Sequence, residues 1–173
     1  WGRSEHDPAA FGRGNPREEQ PDGGEWFAHG DPATGERGLR FSCTMCGNCC
    51  SGPEGYVLVS ERECAALAAR LGLEVAEFVD RYTHITAHGR SLNEKITPGG
   101  HDCVFLDRER VPGKAVCGVY EDRPTQCRTW PFWPSVLRDR HTWERSKRIC
   151  PGIGKGTLIP VSEVRVRRDT FRI

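Results

Sequence analysis

The chain has 173 residues, with 25 Lys and Arg against 24 Asp and Glu and a formal net charge of +1. That length suits one domain, and so even a balance argues against a general polyanion binder, which would be strongly basic. No apolar run approaches the roughly 20 residues of a membrane helix and none reads as a signal-peptide core, so a cytoplasmic protein is expected, one trimmed or processed because Trp1 stands where an initiator methionine would.

Residues 1–40 are crowded with Gly, Pro and charge, as in GRGNPREEQPDGG, and their only large aliphatic or Phe residues are Phe11, Phe27 and Leu39. Such a segment buries too little apolar surface to offset its ordering entropy. It is expected to be a flexible arm, or one laid over the domain at Trp26 and Phe27, with residues 41–173 forming a cysteine-cluster metal-binding domain. GYVLVS predicts a short strand over 56–59. SERECAALAARLG predicts a helix: Ser60 and Glu63 form a capping box, Gly72 suits the left-handed stop, and Cys64, Leu67, Ala68 and Leu71 share one face. A second helix is predicted over 74–82, with Val75, Phe78, Val79 and Tyr82 inward. Two strands follow over 103–106 and 115–120, joined by a turn with Pro112 and Gly113. Pro124 opens a short helix through Cys127, ended by Pro131. LIPVSEVRVRR reads as a last strand, from Val161, Val164 and Val166. The expected fold is α+β: a small cysteine-rich, metal-centred domain with a two-helix insert and short strands.

Leu, Ile, Val and Phe make up about a fifth of the chain, near the level where burial alone stops carrying a fold. The nine cysteines are therefore expected to add stability through metal or cross-links. Disulfides fit poorly, because the count is odd and adjacent Cys49 and Cys50 can rarely both reach well-formed partners. A thioredoxin-like dithiol would need its C-x-x-C at a helix N-terminus, whereas CTMCGNCC, residues 43–50, precedes a predicted strand. Metal ligation uses every thiol outside the first helix. C-x2-C-x2-C lets three thiolates of one loop reach three corners of an iron–sulfur cube, the fourth ligand being remote, and Gly47 lets that loop fold tightly.

Neighbouring side chains leave the backbone in different directions, so Cys49 and Cys50 should serve different centres. Cys43, Cys46 and Cys49 then need one remote partner, and Cys50 needs three, which Cys103, Cys117, Cys127 and Cys150 supply between them. Cys150 is assigned to the first centre because Cys150-Pro151 resembles the Cys-Pro that closes bacterial ferredoxin motifs. One centre with spare, reactive or disulfide-bonded thiols is the alternative. Cys64 lies on the buried helical stripe, where a free cysteine acts as a small hydrophobe.

CTMCGNCC, CVFLD, CGVYEDRPTQCRTWPF and CPGIG together resemble the CxxCxxCC zinc- or iron-chelating family of YkgJ-like cysteine-cluster proteins, over about residues 41–156. The resemblance implies a ligand set of Cys43, Cys46, Cys49, Cys50, Cys103, Cys117, Cys127 and Cys150. It also implies a protein accessory to a redox or methylating partner, since a related cluster accompanies flagellin lysine methylation. No G-x-G-x-x-G motif is present, so a methyltransferase activity would need another protein or domain. The remote single cysteines favour an iron–sulfur cluster, [4Fe-4S], over the paired C-x-x-C knuckles usual for zinc; Zn2+ in a structural interaction module is the alternative. Either centre carries excess negative charge, which Arg123, Arg128, Lys147 and Arg148 could offset.

His101, close to Cys103, is a candidate supporting donor or substitute ligand, whereas His84 and His88 fall where the second helix should end. Trp130, Phe132, Trp133 and Trp143 interleave with Arg and Lys, as in a nucleic-acid platform. A core or water-excluding role is expected for them, and nucleic acid is not the expected partner. Asp107, Glu121 and Asp122 have no acid/base spacing, so no catalytic residue is assigned and an enzyme is not the first expectation.

Overall fold

The structure, a computed structural model, describes residues 25–171, so residues 1–24 of the arm expected over 1–40 lie outside the described residues. The described chain begins with a 3-10 turn, Trp26–Ala28, and strand β1, Leu39–Phe41. The CxxCxxCC loop follows, closing in a second 3-10 turn, Asn48–Cys50, and β2, Ser51–Gly52.

Helix α1, Glu61–Leu71, forms for local reasons. Glu63 N donates to Ser60 Oγ at 3.3 Å, Ser60 N donates to Glu63 Oε2 at 2.8 Å, and Gly72 ends the helix at φ 67°. Cys64, Leu67 and Ala68 are buried as expected, but Leu71, in the last turn, is 36% exposed. Helix α2, Val75–Tyr82, rests on the core through its second turn, where Phe78 stacks with Tyr82 and Phe105. Val75 precedes that contact and is exposed, contrary to expectation.

Two hairpins follow: β3, Thr83–Thr86, with β4, Gly89–Leu92, and β5, Glu94–Thr97, with β6, Gly100–Cys103. The strand predicted over 103–106 is broken by a turn between Cys103, which ends β6, and β7, Leu106–Asp107, and the one predicted over 115–120 is cut to β8, Val116–Cys117. A 3-10 turn, Tyr120–Asp122, leads to α3, Thr125–Thr129, then α4, Pro134–Leu137, and α5, Arg140–Ser146. The chain ends in β9, Ile153–Ile159, and α6, Val161–Thr170.

Two expectations fail. Residues 56–59 form no strand: only an isolated bridge joins Leu58 to Ser91, and the Leu58 N–H donates to the Gln126 side chain instead of a ladder. The segment 161–166 is helix, not strand. Val164 is fully buried while Val166 is 65% exposed, so their alternation was misleading. Glu163 and Arg167, four apart, pair along the helix, and the strand comes earlier in spite of Gly154 and Gly156.

The strands form four small antiparallel sheets: β1–β9, β2–β6–β5, β3–β4 and β7–β8. Two hydrophobic clusters divide the interior. One is aromatic, holding Trp26, Phe27, Phe132, Trp143 and Val164; the other packs Cys64, Leu67 and Phe78 with Leu92 and Val119. No helix among the described residues is long and apolar enough to cross a membrane.

Candidate metal centre

Short pairings bring distant cysteines together. In β1–β9, Phe41 pairs with Ile153, and Ser42 N donates to Gly152 O at 3.2 Å, which sets Cys43 near Cys150. Gly152 must lack a side chain, because a Cβ there would lie 2.1 Å from Ser42 O. Asn48 Nδ2 adds a bond to Ile149 O at 2.9 Å. Ser51 pairs with Asp102 and Leu106 with Cys117, carrying Cys50 toward Cys103 and Cys117 into the same region. Gly47, at φ 77°, turns the loop so closely onto Ala115 that a Cβ would lie 2.6 Å from that methyl.

Helix α3 delivers Cys127, and its neighbour Gln126 clamps it: Leu58 N donates to Gln126 Oε1 at 2.7 Å, and Gln126 Nε2 donates to Tyr56 O at 3.0 Å. Glu63, already capping α1, also accepts from Thr125 N at 2.6 Å. One carboxylate thus ties the starts of both helices.

The result is a cavity of about 510 Å³ lined by Cys43, Cys46, Cys49, Cys50, Cys103, Cys117, Cys127 and Cys150. It lies at the seam of the two cores, for Cys150 belongs to the aromatic cluster while Cys103 and Cys117 pack against the other. Cys64 is absent from its wall and packs in the core at 1% exposure. None of the cysteines is disulfide-bonded. Among the described residues no three His, Cys, Asp or Glu side chains converge closely enough to hold a bare ion. The thiols stand round a space.

Cys49 and Cys50 Sγ are 3.5 Å apart. Their shared hydrogen bond lowers the Cys49 thiol to about 7 and drives that of Cys50 up. Burial pushes Cys103 up to about 11. Burial likewise raises Cys127, and the thiols of Cys103, Cys49 and Cys117 add to the effect. Cys117 and Cys150 are raised by burial too, against help for the Cys150 thiolate from the Trp130 indole. Cys50, Cys103, Cys117, Cys127 and Cys150 thus favour the protonated thiol until a cation reverses the balance.

Of the four expected cations, Arg123 alone lines the cavity, where it favours the thiolates of Cys49, Cys117 and Cys127. Arg128 bonds Thr125, Lys147 pairs with Glu144, and Arg148 is exposed. Arg108 went unanticipated: it grips Asp102 through two bonds of 2.9 Å and lies within electrostatic reach of Cys50. His101 faces Glu94 at 3.2 Å rather than the cavity. His84 bonds Asn93, and His88 stacks on Tyr56. Asp107 closes a turn and Asp122 pairs with Arg70. Trp130 and Trp133 line the cavity, while Phe132 and Trp143 are core.

The donor set fits a thiophilic metal centre: soft sulfur donors surround one space. Two buried polar atoms without hydrogen-bond partners, Thr44 Oγ1 and Trp130 Nε1, belong to residues lining it. The fold and site define a metal-binding cysteine-cluster protein of the α+β class. Residues 42–151, well over half the chain, match the CxxCxxCC family, described as "Putative zinc- or iron-chelating domain", and the chain belongs to that family. No solved structure matches it.

Proposed function

We propose that Cys43, Cys46, Cys49, Cys50, Cys103, Cys117, Cys127 and Cys150 hold two four-thiolate iron–sulfur centres of the [4Fe-4S] type. In this reading the protein carries electrons, or serves a redox or methylating partner, in the cytoplasm. The observation that carries it is how the thiols sort: all those outside α1 line one cavity, and Cys64 does not. Thiols spaced round a volume suit a cube better than a bare ion. Cys150 has Cys46 and Cys49 as electrostatic neighbours and Cys50 has Cys103 and Cys127, while Cys49 reaches Cys50, Cys117 and Cys127 as well.

A bound cluster would supply one-electron chemistry. The chain's own part is to present thiols, offset their charge through Arg123 and Arg108, and exclude water with Trp130 and Trp133.

Structural zinc is the second reading, favoured by the cavity's place at the seam, where ions would tie the two cores together. Protein purified without oxygen separates them. Iron–sulfur predicts brown protein with iron and sulfide in equal amounts; colourless protein with zinc identifies a structural module. Protein that takes up neither refutes both.

A further inference from the structure

Thr44 Oγ1 and Trp130 Nε1 are the buried side-chain polar atoms that lack a hydrogen-bond partner among the described residues. Such orphans are rare, because each loses its hydration with no return. Both residues line the thiol cavity. The neighbouring Trp133, edge-on to Trp130 at 4.8 Å, has its own N–H satisfied by Gln126 O and Thr129 Oγ1, each at 3.1 Å. The missing acceptor is therefore particular to Trp130 and not common to this aromatic segment.

An indole N–H only donates, and the group it favours is the Cys150 thiolate, one of the proposed ligands. Trp130 stands beside Cys150, and Thr44 lies between Cys43 and Cys46 in the loop. Both thus stand with the thiols of one proposed centre. We infer that Trp130 and Thr44 are positioning residues that donate hydrogen bonds to the sulfur of the centre held by Cys43, Cys46, Cys49 and Cys150. This rests on the iron–sulfur reading above. Hydrogen bonds to cluster sulfur favour the more negative, reduced state, so these two raise the reduction potential.

The full chain, purified without oxygen, is compared with Trp130→Phe and Thr44→Val, which keep most of each side chain's bulk and delete the donor. Iron and sulfide are counted first, then the potential is measured. Cluster content is expected to be unchanged, and each variant should be harder to reduce by about tenfold in equilibrium constant, about 59 mV for one electron. Reduced wild type should show a hyperfine coupling to an exchangeable proton that Trp130→Phe lacks. Wild type carrying indole-15N tryptophan assigns that coupling to an indole without any variant, so it decides the matter even if one substitution prevents folding. Equal potentials at full cluster content, with no such coupling, overturn the inference and leave the iron–sulfur reading standing. If the wild type binds only zinc, the iron–sulfur reading falls. The indole N–H resonance then decides: a downfield move on zinc loading supports donation to sulfur, and an unmoved signal overturns it.

Discussion

Gln126 is 5% exposed and holds the 56–58 segment to α3 by accepting from Leu58 N and donating to Tyr56 O. Replacing it with Leu keeps the volume and removes both bonds. Each is worth about 0.5–1.5 kcal/mol net, and a buried group left unpaired costs about 1–3 kcal/mol. Tyr56 and Leu58 are only half-buried, so water recovers part of that loss, and the expected destabilisation is about 2–3 kcal/mol. Urea unfolding of the protein as purified, followed by Trp fluorescence, should show the midpoint falling at unchanged slope. Cys127 adjoins the clamp, so metal content should fall as well. A loss under about 0.5 kcal/mol with full metal content would refute the clamp and leave β4 alone holding the segment.

Cys64→Ala should cost about 1 kcal/mol by leaving a small cavity, with metal content unchanged; loss of metal would place Cys64 among the ligands. Gly47→Ala must put a side chain at positive φ and into the Ala115 methyl, which should cost about 2–4 kcal/mol and reduce metal uptake. Asp139 caps α5 by accepting from Thr142 N at 2.6 Å, and this bond, more than any other contact, holds its carboxyl at about 2. Because the folded chain binds that proton more weakly than the unfolded one, the stabilisation is complete above about pH 4 and lost as pH falls through about 2. Asp139→Ala should therefore cost about 1 kcal/mol at neutral pH, allowing for partial exposure, and almost nothing near pH 2. Equal cost at both pH values in denaturant titrations would contradict the cap.

Helix α1 was legible because its box, stripe and stop are all local to one stretch, and the same stripe separated Cys64 from the other thiols. Counting singled out eight thiols, and the structure gathers those side chains on one cavity. What closes that cavity was not. Ladders of two to four residues carry almost no periodicity, and the pairing of Leu39 with Ile159 spans most of the chain. Gln126 and the Asp102–Arg108 pair are single polar side chains whose roles appear only when distant backbone arrives beside them. Val164 and Val166 imitated a strand because two valines alternate on either type of element, and here charges four apart accompanied the helix.

X-ray absorption at the metal edge of the purified protein tests most directly whether these thiols grip metal. The account predicts a first shell of sulfur alone, at about 2.3 Å. A shell containing oxygen or nitrogen, or an undiminished metal content after Cys50, Cys103, Cys117 and Cys127 are replaced by Ser, would contradict it.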